Sequence, residues 1–289
     1  MLTQTGASTT AGATDSALYR FALSVGAGTL PRAPKSGLRL LMNPIEYIRC
    51  AEARYVAEHL GVRPGARVLD VGSPKLLSLY LAAKGAAEVH ATDLVDYFFE
   101  RYAAYTKTAM REGRGQYQMR SVDARSLPYA DGFFDRAFSI SAIEHIPGDG
   151  DSVAMKELGR VLTPGGIACL TVPWSDRGYL EEYADASNES VYWVKNRKER
   201  IFNYRAYDRP SLFARLVDSG PFELVDLSFW GERRIPVEDW IQHHKLPRPV
   251  RWALLPAHFP LSRIFLRQLG EDERSHKKVA CLTLRRIAS

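Results

Sequence analysis

Along the middle of this chain, short apolar runs with strand character alternate with longer stretches of helical period. The first run, Arg67-Val-Leu-Asp-Val71, is apolar on both faces, as a strand covered on both sides must be. Leu76, Leu77, Leu79, Tyr80 and Leu81 then predict a helix, 87–92 a second strand and 94–110 a second helix. Strands are expected over 117–122 and 134–140, followed by a helix over 151–162. The Thr163-Pro-Gly-Gly166 turn ends that helix and reverses the chain into a strand over 167–172. Asp208 followed by Pro210 marks a helix start, and strands over 222–228 and 279–284 complete the series. Strands alternating with helices predict a doubly wound α/β domain built on a parallel sheet.

Three stretches break the alternation. Residues 173–207 and 231–276 are too long for ordinary connections and are expected as insertions over the C-terminal edge of the sheet, where ligands bind in such folds. Upstream, 44–60 has the pattern of an amphipathic helix, so 17–62 is expected to form a helical cap. The Thr-, Ala-, Gly- and Ser-rich 1–16 reads as a disordered tail, and the catalytic domain is then 63–289.

Composition adds exclusions. A hydrophobic share of 46% with 25% charged residues suits a globular core, and no apolar run is long enough to span a bilayer. No basic, then apolar leader opens the chain. Cys50, Cys169 and Cys281 are odd in number and dispersed, which argues against a disulfide framework or a metal centre and for the cytoplasm. The net charge of +6 is concentrated at one end: 231–289 holds twelve Lys and Arg against six Asp and Glu. Within it, Trp252, Leu254, Leu255, Phe259, Ile264, Phe265 and Leu266 interleave with arginines, so 248–268 is a candidate for peripheral membrane contact, with a solvated basic face as the plainer reading. Nothing in it matches a nucleic-acid recognition motif.

Candidate chemistry sits at the strand ends. The first strand turns into its helix through Asp70-Val-Gly-Ser-Pro-Lys75, where Gly72 permits close backbone approach to a ligand. Asp93 ends the second strand about twenty residues on, where a carboxylate accepts hydrogen bonds from ribose hydroxyls. The third strand ends in Asp123-Ala124, a side-chain acceptor and a backbone donor suited to an adenine edge. Each acid has a plainer use, Asp70 as a helix cap and Asp123 as a turn former.

With Asp123-Ala-Arg-Ser-Leu-Pro-Tyr-Ala-Asp-Gly-Phe-Phe-Asp135, Ile143-Glu-His-Ile146 and Arg160-Val-Leu-Thr-Pro-Gly-Gly166, the chain resembles the class I S-adenosylmethionine (SAM)-dependent methyltransferases, in their small-molecule "type 11" branch. The resemblance runs from about 67 to 227 and resumes at 279–284. It implies a Rossmann-like sheet of seven strands with the last antiparallel, and SAM as cofactor with S-adenosylhomocysteine as product. It also implies methyl transfer to a small molecule; oxygen or nitrogen is expected ahead of carbon as a general prior, and the aromatic and apolar residues of the two insertions suggest an aromatic or lipid-like acceptor. Asp70, Gly72 and Ser73 would surround the methionine end of SAM, Asp93 the ribose, Asp123 and Ala124 the adenine, and backbone at Ser139 and Ile140 the methionine amino group. Where the family continues its loop with glycines, this chain has Pro74 and Leu76; Pro74 removes a donor, and Lys75 is expected to face the SAM carboxylate.

His145 follows the fourth strand and is the candidate general base; alternatively Glu144 and His145 orient the loop. His243 and His244 have no assignable place. Trp174, Tyr179, Tyr192, Trp193 and Trp230 are candidates for an aromatic wall around the acceptor, or for a lid packed on itself. The marks of amino-group, cytosine-C5, arsenite and protein-arginine methyltransferases are missing, as is the Gly-x-Gly-x-x-Gly turn of nicotinamide enzymes. A methyltransferase-like binding or scaffold protein is the alternative to an enzyme.

Overall fold

The computed structural model describes residues 11–85, 87–95, 97–184, 201–241, 246–271, 273 and 276–288. Three helices lead: α1 (Ala11–Thr29), α2 (Pro34–Met42) and α3 (Tyr47–His59). The α/β succession follows as β1 (Arg67–Val71), α4 (Leu76–Gly85), β2 (Glu88–Asp93), α5 (Tyr97–Ala109), β3 (Gln116–Ser121) and β4 (Phe134–Ile140). Next come a 3-10 turn (Ile143–His145), α6 (Gly150–Val161), β5 (Leu162–Pro173) and the hairpin strands β6 (Leu180–Ala184) and β7 (Ile201–Ala206). A short α7 (Arg209–Leu212) passes into a π-turn and then β8 (Phe222–Glu232). The chain ends with α8 (Val237–Ile241), α9 (Arg248–Leu254), α10 (His258–Phe265), β9 (Leu266–Leu269) and β10 (His276–Arg286).

The main sheet has the order β3-β2-β1-β4-β5-β10-β8-β9. The pairings from β3 through β5 are parallel, and β10 runs antiparallel between β5 and β8. The order reverses beside β1, so the loops after β1 and β4 open a crevice at the C-terminal edge, the place where doubly wound folds bind ligands. Leu69, Ala137, Phe138, Leu170 and Leu282 are fully buried, as expected of strands covered on both faces.

Two expectations are corrected. The sheet has eight strands, because β8 extends to Glu232 and β9 pairs with its extension from Phe229 onward. An extension left unpaired would expose a row of backbone donors and acceptors. Residues 11–16, expected as part of a disordered tail, belong to α1, which starts at Ala11; 1–10 lie outside the described residues. Leu18, Phe21, Ala22 and Val25 of α1 are buried in the core. Its crossing with α2 is close enough that a Cβ on Gly37 would stand 2.8 Å from the Gly26 carbonyl oxygen.

The basic insertion turns much of its apolar surface inward. Tyr19 of α1 stacks on Phe259 with ring centroids 4.0 Å apart, and Leu254, Phe265 and Leu266 join the core, while Trp252 and Ile264 stay exposed. No described helix is long and apolar enough to cross a membrane.

Candidate cofactor and acceptor site

A cavity of about 1060 Å³ opens at the C-terminal ends of β1, β2 and β4, roofed by α2 and α3. That volume exceeds a single small ligand and leaves space for cofactor and acceptor together. Gly72 lines it with φ +70°, its N–H donating to the Thr92 carbonyl at 2.9 Å. A Cβ there would stand 2.7 Å from the Ala142 Cβ, so the turn needs glycine for both conformation and space.

The rest of the loop is held from beneath. Asp70 is fully buried: its Oδ1 accepts the Ser73 N–H at 3.0 Å, and its Oδ2 accepts the Ser78 hydroxyl. The Ser73 hydroxyl oxygen accepts the Ile140 N–H at 2.8 Å, and the Ser139 hydroxyl donates to the Val71 carbonyl at 2.8 Å. Asp70, Ser73 and Ser139 therefore stand behind the cavity wall and fix the loop, while Ile140 lines the cavity with its N–H already engaged. A carboxylate sealed from water must take its donors from the protein, which is why Asp70 turns inward.

Lys75 departs from expectation. Its side chain is fully buried, and Nζ donates to the Thr92 carbonyl at 2.9 Å, 3.5 Å from Asp70 Oδ2 and 3.6 Å from Asp93 Oδ2. It points into the loop and does not line the cavity, where it was expected to face the SAM carboxylate. Instead it bridges the acids that end β1 and β2. Burial raises the Asp70 and Asp93 carboxyls above their ordinary range, and the Lys75 cation opposes this in both.

Asp93 does line the cavity; its Oδ1 accepts the Val95 N–H at 3.0 Å. Asp123 and Ala124 line it too, but Asp123 accepts from Arg125 Nη2 at 2.6 Å and from Nε at 3.0 Å. The Arg125 hydrogen bonds hold the Asp123 carboxyl below its ordinary range.

Beyond β4 the chain makes a strained corner. Ser141 has φ +42°, and its hydroxyl donates to Glu52, a buried carboxylate of α3. Glu52 also accepts the Thr171 hydroxyl at 2.8 Å and Arg49 Nη1 at 2.5 Å. The 3-10 turn that follows sets His145 in the cavity wall with Nδ1 2.5 Å from the Asn203 carbonyl oxygen of β7. Burial lowers the His145 pKa below its ordinary 6.5, so the neutral ring donates from Nδ1 and keeps its lone pair on Nε2. Burial also pushes the neighbouring Glu144 carboxyl up to about 8. Below the turn, fully buried Arg205 holds the Ile146 and Gly148 carbonyls at 2.8 and 2.9 Å and pairs with buried Asp151 at 2.6 Å.

The expected aromatic wall lies elsewhere. Trp174 packs on Phe229 with centroids 4.5 Å apart, Trp230 sits in the core beneath Arg54, and Tyr179 is exposed; none of the three lines the cavity. Tyr192, Trp193, His243 and His244 lie outside the described residues. The aromatic lining comes from Tyr102, Tyr105 and Tyr204. Sequence reasoning also missed Arg49 and Glu52. Glu52 does carry a signal, because it falls four residues after Ile48 and four before Val56 on the apolar face of α3, where an acid needs a buried partner.

Comparison with known proteins matches this geometry. Residues 69–170 fit the family model described as a methyltransferase domain. The chain is 31% identical to "Methyltransferase GfsG" of Streptomyces halstedii over 77% of its own length and 70% of that protein. It is 33% identical to a rice 24-methylenesterol C-methyltransferase over 72% of its length and 54% of that protein. The crystal structure of the [4+2]-cyclase SpnF shares the fold, with a TM-score of 0.53 and 20% identity over 84% of this chain and 82% of that one. The residues fit SAM: a glycine turn that admits no side chain, an acid at the end of β2 facing the cavity, and an Asp-Ala pair at the end of β3. Family relationship and site chemistry agree on a catalytic role in place of a scaffold, and the chain belongs to the class I SAM-dependent methyltransferases of the type 11 kind.

Proposed function

We propose that this enzyme methylates an oxygen or nitrogen of a small acceptor in the cytoplasm, with His145 as the general base. The observation that carries the reading is the placement of His145 in the cavity wall beyond β4, with Nδ1 donating to the Asn203 carbonyl and Nε2, the ring's basic nitrogen, 4.0 Å from Glu144 Oε1. When bound, SAM supplies a methyl group already activated on its sulfonium, so the protein has to orient the acceptor, exclude water and accept one proton. A hydroxyl or amine acceptor loses that proton; a base placed here serves such an acceptor.

Asp93 would hold the ribose, Asp123 and Ala124 the adenine, and the Gly72 turn the methionine end. Asp70, Ser73, Ser139 and Lys75 act one layer behind, keeping the turn and the end of β4 in register. The cavity continues past this region in two directions. Leu18, Leu40 and Tyr105 offer apolar contact, and Glu182, Asn203 and Tyr204 offer polar contact, which favours an acceptor with a ring or lipid-like body and a polar end. The exposed Trp252 and Ile264, beside the arginines of α9 and α10, suit delivery of such an acceptor from a membrane surface.

Calorimetric titration with SAM and S-adenosylhomocysteine tests the cofactor site: micromolar binding is expected, lost in Asp93→Ala. Transfer of labelled methyl to a panel of hydroxylated and aminated acceptors tests the reaction. His145→Ala should lower kcat by two to four orders of magnitude, the usual contribution of a positioned base. In the wild type the rate should stay level above the lowered His145 pKa and fall as acid protonates the ring. A rate that rises on acidification, or an unaffected His145→Ala enzyme, would remove the base.

A further inference from the structure

With Lys75 turned inward, the zwitterionic end of the cofactor needs other partners. The cations lining the cavity are Arg39, Arg49, Arg125 and Lys278. Arg125 is engaged by Asp123 at the end of β3, and Lys278 is held 2.7 Å from Asp239 beside α8. Arg39 lies on the exposed face of α2. Arg49 is different. It is joined through Glu52 to Ser141, and the next residue, Ala142, is the one that presses on Gly72. The guanidinium thus stands beside the corner where the ends of β1 and β4 meet. Its one hydrogen bond among the described residues spends a single donor on Glu52, and the planar group has five.

Glu144 provides a second, independent observation. Its side chain is 1% exposed and belongs to the cavity wall, yet its Oε2 atom is buried without a hydrogen-bond partner. A buried carboxyl oxygen left unsatisfied costs free energy until something donates to it.

We propose that Arg49 and Glu144 bind the two charges of the cofactor's amino-acid end, the guanidinium taking the α-carboxylate and the free carboxyl oxygen taking the α-ammonium. The pairing is consistent in sign: a zwitterion presents one anion and one cation, and this corner presents one cationic fork and one acid with an open acceptor. It also gives α3 a function beyond covering the sheet, because the helix then supplies a ligand-binding residue and, through Glu52, the brace for the corner that carries the other. The inference rests on the proposed cofactor site and adds to it the two residues that read the amino-acid portion.

Two ligands that share adenine and ribose separate the possibilities. S-adenosylhomocysteine carries the α-amino and α-carboxylate groups, and 5′-methylthioadenosine carries neither. Calorimetry with the full chain should show Arg49→Met and Glu144→Gln each weakening S-adenosylhomocysteine by about 10- to 100-fold, the range expected for losing a charge-assisted hydrogen bond. Binding of 5′-methylthioadenosine should stay within about twofold of wild type, which also shows that the variant is folded. Asp93→Asn, by contrast, should weaken both ligands alike. If either variant fails to fold, Arg49→Gln, which keeps a donor for Glu52, and Glu144→Met repeat the measurement. Equal losses for both ligands, or no loss for S-adenosylhomocysteine, would overturn the clamp while leaving the cofactor site standing. Failure of the wild type to bind either ligand would overturn the cofactor site itself.

Discussion

Removing the Lys75 cation offers a quantitative test of how the cofactor loop is held together. In Lys75→Met the side chain keeps most of its volume but no cation stands 3.5 Å from Asp70 and 3.6 Å from Asp93, and the Thr92 carbonyl keeps only the Gly72 N–H of its two donors. Asp70 has no exposure and keeps only the donors of Ser73 and Ser78, so a buried negative charge is left without its counterion. Breaking a buried pair from one side typically costs about 3–5 kcal/mol. At roughly 2 °C per kcal/mol for a chain of this size, the melting temperature should fall by at least about 6 °C.

The cost should depend on pH. Burial already raises the Asp70 and Asp93 carboxyls above 3.8 against the pull of Lys75, and without that cation both rise further. A raised carboxyl binds its proton more tightly when folded, so its destabilising effect grows as pH rises through the folded pKa and vanishes below the unfolded one. The Lys75→Met deficit should therefore be full at pH 8 and smaller at pH 5. Urea unfolding followed by tryptophan fluorescence at the two pH values measures it. A deficit below about 1 kcal/mol, or one of equal size at both pH values, would refute the view that Lys75 acts as the counterion of the loop.

Gly72→Ala should lose about 1–3 kcal/mol of stability together with SAM affinity, since φ is +70° and the new Cβ meets Ala142; chemical denaturation and calorimetry read the two effects, and an unchanged variant would contradict the turn geometry. Arg205→Met should cost about 1–3 kcal/mol at neutral pH, because buried Asp151 loses one of its two cations while keeping Arg215 at 2.7 Å, and the Ile146 and Gly148 carbonyls lose their donor. Burial raises the Asp151 carboxyl, but the hydrogen bonds from Arg215 and Arg205 outweigh it and hold it below 3.8, so its wild-type contribution is lost only as pH falls through that lowered pKa. Stability of Arg205→Met equal to wild type at pH 7 would count against the network. Finally, the native protein should resist a thiol reagent that labels Cys50, Cys169 and Cys281 once it is denatured. All three are buried, and burial pushes the Cys169 thiol up to about 12. Rapid labelling of the native state would contradict their burial.

The alternation of strands and helices between 67 and 172 was legible from local pattern. Each element there is short and carries its own apolar period, and some end at a glycine, as β1 does before Gly72 and α4 does at Gly85. The β4 limits, 134–140, follow from the sequence alone, as does the Asp208 cap, whose side chain accepts the Ser211 N–H at 3.0 Å. The acids at the ends of β2 and β3 were legible for a related reason: a strand end reached at a fixed spacing leaves few places for its carboxylate, and Asp93 and Asp123 both line the cavity.

Orientation was not legible. Asp70 and Lys75 bound one short loop, and only the packed interior decides that they face each other and turn away from the cavity. Glu52 and Ser141 lie 89 residues apart, and no local pattern pairs them. The same holds for Tyr204 and Asn203, brought to His145 by a hairpin from a segment that reads as an irregular insertion. Local sequence sets which elements form, because backbone hydrogen bonds and apolar periodicity act over a few residues. Which side chains meet in the cavity is decided by long-range burial, where each charge taken from water must find its partner wherever the fold has placed one.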